Sequence, residues 1–267
     1  MALFLSDFHF DFAVALTVLA LVTGIGWVLD RWWLAPARVQ RGADPEKGGP
    51  FIDFCNFAFP VIFVVLILRS FLFEPFRIPS GSMIPTLLVG DFILVNKFAY
   101  GVRTPVGFYK VFDVADPQRG DVAVFRFPAD PSKDYIKRII GLPGDRIEYR
   151  NKQLFINGQA QDLEAAGIYS ATASGRAFVV QRYNETIGDE VEHPIIVNPS
   201  VPAEDFAITV PEGRYFGMGD NRDGSLDSRS WGTLPERNLV GKAVLIWMSW
   251  DGARNRIDWG RIGDAIE

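Results

Sequence analysis

Cysteine and histidine are almost missing from this chain. Cys55 is its single cysteine, and His9 and His193 are its only histidines, in 267 residues. One thiol excludes an intrachain disulfide and a cysteine-built zinc site. Two histidines leave little scope for a histidine-metal centre or a histidine-dependent triad. Basic excess is missing too: the formal net charge is −5, which excludes the cationic footprint of a nucleic-acid binder. The first ten residues hold no lysine or arginine, so they lack the charged leader of a secretory signal sequence.

What the chain has is concentrated hydrophobicity, with a mean hydropathy of +0.11 at 22% charged residues. Phe12 to Leu29 is an almost uncharged run bounded by Asp11 and Asp30, about the minimum length for a spanning helix. Trp27, Trp32 and Trp33 gather at its far end, as interfacial aromatics do. Ala35-Pro36-Ala37 resembles a processing site, but the run is longer than a signal-sequence core, so a retained span is expected. A second run, Phe54 to Phe73, has an uninterrupted core from Phe57 to Leu68, with Pro60 in its first turns. Arg69 falls near its end, where the side chain can snorkel to the interface. Arg31, Arg38, Arg41 and Lys47 lie between the runs. By the positive-inside rule that loop faces the cytoplasm, and both termini and everything after Phe73 lie outside. Gly42 to Pro50 reads as a flexible linker.

After residue 75 the pattern shifts to short alternating segments. Asp91–Val95, Asp121–Phe127 and Val240–Trp247 are β-branched and aromatic. Arg146–Arg150 and Gln153–Asn157 flank Asn151-Lys152 as one hairpin; Phe206–Val210 and Arg214–Met218 flank Pro211-Glu212-Gly213 as another. The expected fold is two N-terminal transmembrane helices followed by a mostly antiparallel all-β catalytic domain with an inserted subdomain. The expected divisions are an N-terminal segment and first helix (1–30), a cytoplasmic loop (31–53) and a second helix (54–74). The β core follows in two parts (75–158 and 205–267), separated by the insert (159–204). The C-terminal segment Asn255–Ile262 mixes Trp, Ile and Arg, and either packs on the core or rests on the membrane.

Chemistry concentrates in Pro79-Ser80-Gly81-Ser82-Met83, a few residues beyond the second run. Pro79 restricts φ, and Gly81 lets another chain approach the backbone closely. A histidine base for Ser82 is hard to find. His9 precedes the first span, and His193, beside Pro194 in the poorly patterned insert, reads as a surface residue whose loss leaves turnover intact. A lysine base needs a neutral amine, hence burial that lowers its pKa from about 10.4. Lys137 and Arg138 lie on opposite faces of Tyr135–Gly141, both with apolar neighbours, so periodicity does not choose between them. Chemistry does, because a guanidinium does not deprotonate in proteins. Tyr135 and Ile139 share the face of Lys137 and would desolvate it. The backbone N–H of Ser82 and the hydroxyl of Ser80 are candidate oxyanion donors. Gly219–Ser225 supplies a polar support loop containing Asp220; Ser225 could orient an amine and Asp227 could pair with Arg229. Aligned to a calcium loop, this segment lacks both essential carboxylates, so no metal is expected. Taken singly, each element has a plain alternative, an ordinary solvated turn or an edge-strand lysine.

Three ordered segments carry a resemblance. Pro79–Leu87, Tyr135–Asp145 and Gly219–Arg229 look like the conserved boxes of bacterial type I signal peptidase (leader peptidase), a resemblance that covers about residues 57 to 250. It implies a Ser-Lys dyad endopeptidase that removes signal peptides after small-x-small motifs, without a cofactor. Ser82 would be the nucleophile, Lys137 the general base, Ser80 the side-chain oxyanion donor and Ser225 the residue orienting the lysine. Tyr135, Asp220, Asp227 and Arg229 would be supporting residues, and Ile84, Leu87 and Ile139 walls of the substrate pocket. Implied partners are exported preproteins, the lipid bilayer and the secretion translocon, with no nucleic acid. The implied location is the bacterial inner membrane, multi-pass, with the catalytic domain on the periplasmic side. Some such enzymes carry a disulfide in the insert, which this chain cannot form. A relative dedicated to one substrate and a non-enzymatic, membrane-anchored peptide-binding β domain are the alternatives.

Overall fold

Side chains apolar on every face favour a helix that satisfies its own backbone and leaves nothing polar to solvate. The computed structural model describes residues 12–104, 109–173, 176–188 and 191–267; His9 lies outside them. The first helix, Phe12–Leu29, does not stop at Asp30. It continues through a π-helical turn at Asp30–Leu34 into Ala35–Gln40. Asp30 is buried, ion-paired to Arg38 at 2.7 Å, and accepts a hydrogen bond from Asn56 Nδ2 at 2.7 Å. Once paired, the charge no longer gives the helix a reason to end there.

The second helix begins at Pro50, runs to Ile67 and closes in a π-helical turn at Leu68–Leu72. Pro60 is therefore in mid-helix, not in the first turns, where it removes one backbone N–H from the ladder. The two helices approach closely at glycine: a Cβ on Gly26 would stand 2.5 Å from Cys55 Sγ. Trp27 meets Phe59 at a ring-centroid distance of 5.4 Å. Val14–Gln40 and Pro50–Leu72 are each long and apolar enough to cross a membrane. A small hairpin, Val102–Arg103 with Lys110–Phe112, belongs to this same unit.

The second unit comprises residues 74–101 and 113–267. Its main sheet orders the strands Phe73–Arg77, Asp91–Asn96, Leu239–Asp251, Val122–Phe127, Asp130–Gly141, Arg214–Met218 and Leu234–Pro235, with Arg256–Ile257 added along Leu239–Asp251. A four-stranded sheet orders Phe206–Thr209, Arg146–Arg150, Gln153–Ile156 and Gln159–Ala160. The insert forms a sheet of its own from Asp162–Ala173, Arg176–Ile187 and Val191–Val197, paired antiparallel in sequence order.

Asn151 and Lys152 both take positive φ, 50° and 64°, which is the tight turn expected between Arg146–Arg150 and Gln153–Ile156. The second expected hairpin does not form. Phe206–Thr209 pairs with Arg146–Arg150, whereas Arg214–Met218 pairs with Asp130–Gly141 and Leu234–Pro235, so Pro211-Glu212-Gly213 carries the chain from one sheet to another. The C-terminal segment packs on the core: Arg261 pairs with Asp91 at 2.7 Å and donates to the Thr86 carbonyl at 3.0 Å.

Asp130–Gly141 is the strand that positions the site. Ile140 enters one buried cluster with Ile147, Leu154 and Phe216, while Ile139 enters another with Phe125, Tyr215 and Leu239. Both faces are covered, so any side chain on its C-terminal half is desolvated.

Candidate active site

Strand geometry turns Lys137 and Arg138 to opposite sides of the sheet, and each is buried, at 3% and 0% exposure. Lys137 Nζ stands 2.9 Å from Ser82 Oγ and donates to the Ile136 carbonyl at 2.7 Å. The Tyr135 ring lies beside it, 5.6 Å from the amine to the centroid, and stacks on Phe127 at 4.4 Å. Burial pushes the Lys137 amine down to about 8; the charges of Asp227 and Asp220 oppose the shift and Arg229 adds to it. The amine is thus neutral in half of the molecules only two or three units below the range of a free lysine. Ser80 Oγ lies 3.4 Å from Ser82 Oγ, on the exposed side of the turn.

Arg138, which chemistry ruled out as a base, is an anchor. Its guanidinium grips Asp220 through Nε at 3.0 Å and Nη2 at 2.9 Å, and Nη1 donates to the carbonyls of Gly120 and Glu267 at 2.8 and 2.7 Å. Thr86 donates to the same carboxylate at 2.5 Å. Burial, the largest influence, would raise the Asp220 carboxyl, but Arg138, His193 and the hydrogen bond from Thr86 together hold the group below the usual carboxylate range. With Asp220 fixed, the next residue is aimed at the serine turn. The Asn221 backbone N–H donates to the Ser82 carbonyl at 3.1 Å and its side-chain amide to the Gly81 carbonyl at 3.0 Å.

Asp227 and Arg229 pair as expected, with Nη2 to the carboxylate at 2.8 Å and Nε at 2.9 Å. Asp227 also accepts the Gly219 N–H at 3.0 Å. Ser225 makes no hydrogen bond to the lysine. The hydrogen bonds of Lys137 go to Ser82 and Ile136. Ser225 Oγ is buried behind Gly219 without a partner of ordinary geometry, though near enough to Asp227 to favour its ionised form. Ile84 packs with Val180 and Ile196 of the insert, Ile139 lies in the Phe125 cluster, and Leu87 is fully buried.

Gly219 is where the support loop and the serine turn touch. A Cβ there would stand 2.5 Å from the Ser82 carbonyl oxygen and 2.2 Å from Ser225 Oγ. Gly219→Ala is expected to fold yet lower kcat by about a hundredfold, the usual cost of a misplacement near 1 Å. Steady-state kinetics beside a thermal melt check this, and an alanine variant with unchanged kcat would contradict it.

His193 is buried at 2% exposure, not on the surface. Its Nε2 lies 3.4 Å from Glu185 and 3.8 Å from Asp220, and burial pushes its imidazole down, with Arg138 adding to the shift. It is far too enclosed for its removal to be silent for stability. Its neighbours held the clue: on Val191–Val197 it shares a face with Ile195 and Val197. Asn221 carried no such signal, since nothing in an Asp-Asn-Arg loop says which backbone it will hold.

Known proteins resemble this chain in sequence. Residues 51–250 match the family described as signal peptidase, peptidase S26. A signal peptidase I of Pseudomonas fluorescens is 44% identical over 90% of this chain and 93% of its own length. One of Pseudomonas aeruginosa is 48% identical over 79% of this chain and 78% of its own length. A crystal structure of a signal peptidase I from Enterococcus faecalis is 28% identical, covering 49% of this chain and 98% of that one, with a TM-score of 0.31, too low to bear on the fold.

Proposed function

The chain belongs to the signal peptidase family, peptidase S26, and on that premise we propose a membrane-anchored endopeptidase that uses Ser82 and Lys137 as a catalytic dyad. Membership makes it a serine peptidase of signal peptides and sets aside the non-enzymatic binding domain. The observation that carries the dyad is the buried 2.9 Å approach of Lys137 Nζ to Ser82 Oγ.

In this mechanism the neutral amine takes the Ser82 proton as Oγ attacks the carbonyl carbon after a small residue. The Ser82 N–H and the Ser80 hydroxyl receive the developing oxyanion. The resulting ammonium returns the proton to the leaving amine, and the mature chain departs. Water, deprotonated by the same lysine, then attacks the acyl-enzyme and frees the signal peptide. Asp220, Asp227 and Arg229 keep the Asn221 loop against the serine turn, and Ser225 lies close behind. Tyr135 covers the amine, while Ile84, Leu87 and Ile139 serve as packing behind the substrate groove.

The substrate would add as an extended strand beside the site, its backbone giving affinity and shallow pockets giving specificity. The two apolar helices would tether the enzyme, and the basic residues between them favour a cytoplasmic loop and a β domain on the periplasmic side of the inner membrane. With substrate held in the same bilayer, and delivered there by the translocon, a weak intrinsic affinity suffices.

The test is cleavage of several unrelated preproteins by the purified full chain in detergent micelles. Cleavage of each after a small-x-small motif is expected. Failure on all but a single substrate would replace the general enzyme with a dedicated one.

A further inference from the structure

The inserted sheet looks like decoration on the β core, yet a buried ion pair joins it to the loop that holds the nucleophile. Glu185 stands in the middle strand of the insert, on one face with Tyr183 and Ile187, and its cross-strand neighbour is His193. It is completely buried. An isolated carboxylate there would be prohibitively costly, so it must be paired. Its partner is Arg222, equally enclosed, whose Nη1 donates to one Glu185 oxygen at 2.7 Å and whose Nη2 donates to the other. Burial would raise the Glu185 carboxyl, but Arg222, foremost, holds it down at about 2. Arg222 follows Asn221 directly.

Further contacts lock the same loop to the same sheet. The Ile196 N–H donates to the Asp220 carbonyl at 2.9 Å, and the Asn198 N–H to the Asp223 carboxylate at 2.7 Å. From Arg222 the connection continues inward: its carbonyl accepts Arg229 Nη2 at 2.5 Å, and Arg229 grips Asp227. From Asn221 it reaches the carbonyls of Gly81 and Ser82.

We infer that Glu185 is a positioning residue for catalysis: through Arg222 the inserted sheet clamps the Asp220–Arg229 loop, and through Asn221 that loop sets the place of Ser82 against Lys137. The insert is therefore a structural arm of the active site. The inference rests on Ser82 and Lys137 as the reacting pair.

Replacing both partners by apolar side chains of similar volume separates positioning from stability, because a buried pair replaced whole is often neutral for folding. In E185M/R222M, assayed as the full chain in micelles, the melting temperature stays within a few degrees of wild type. kcat for a preprotein falls about tenfold or more and KM stays within about twofold, because the loss is of alignment and not of substrate contact. E185Q, which keeps the side-chain shape and loses the charge, shows the same split to a smaller degree and decides the matter if the double variant does not accumulate. Folded variants with wild-type kcat overturn the clamp, as does a loss confined to KM. Lys137→Ala, measured in parallel, keeps the two claims apart. If it is dead while the Glu185 variants are normal, only the clamp fails. If it stays active, the dyad fails, and the placing of Ser82 against Lys137 by the clamp falls with it.

Discussion

Lys137→Ala is expected to lower kcat for preprotein cleavage by about a thousandfold or more, and Ser82→Ala by at least as much, with the fold intact in both. The size follows from what each residue contributes. Without Ser82 no acyl-enzyme forms. Without Lys137 the serine hydroxyl has no base within reach, since Nζ at 2.9 Å is the basic group in hydrogen-bond contact with it among the described residues. Lys137→Arg sharpens the test. It retains a cation at the site but offers no neutral form, so it should be as inactive as the alanine variant. A lysine acting only through its charge would be replaced in part by arginine. The Ser82→Ala/Lys137→Ala double variant should be no worse than either single one, because residues acting as a unit are not additive. Steady-state and single-turnover rates on one preprotein check all four variants.

The second large effect is on stability. Asp220→Ala is expected to cost about 3–5 kcal/mol, because it leaves the guanidinium of Arg138 buried without a counter-charge. For a domain of this size that lowers the melting temperature by roughly 10 °C or more. The loss should exceed that from removing an exposed pair such as Lys133–Asp130, which solvent screens. Two further groups lose a partner: Thr86, which donates to the carboxylate, and His193, at 3.8 Å from it. The pH dependence has a definite sign. The Asp220 carboxyl is held below its unfolded value, so its contribution is complete above the unfolded pKa and is lost as pH falls through the folded one. The alanine variant should therefore show a shallower acid limb of stability than wild type. Thermal melts at fixed scan rate across acidic pH measure both effects, and a variant with an unaltered melt would show that Arg138 is satisfied without Asp220.

The buried approach of Lys137 to Ser82 was legible because the chemistry is restrictive. A serine in a Pro-Ser-Gly-Ser turn needs a base, the two histidines were poorly placed, and of two adjacent cations on one strand only lysine can be neutral. The tight Asn151-Lys152 hairpin was legible for a similar reason, as two polar residues between alternating strands have few other conformations. The Pro211-Glu212-Gly213 turn was not, because a local turn signal says nothing about which sheet the next strand joins. Asp30 misled because a charge in an apolar run ends a helix only if it stays unpaired, and its partners Arg38 and Asn56 lie eight and twenty-six residues away. The insert was the least legible segment. Its long strands carry Glu185 and His193 inward, and composition reads such residues as surface until their partners from the Asp220–Arg229 loop are seen.

The central claim is that Lys137 loses its proton near pH 8, well below a free lysine, and its titration tests this most directly. In the full chain carrying lysine labelled with ¹³C at Cε, one resonance should titrate near pH 8, where burial has pushed the amine. That resonance should be missing from the Lys137→Arg variant. Since the base acts only when deprotonated, kcat should rise with pH through the same value and then level off. A Lys137 resonance titrating with the exposed lysines, and a kcat flat across pH 7 to 9 with chemistry rate-limiting, would contradict the account.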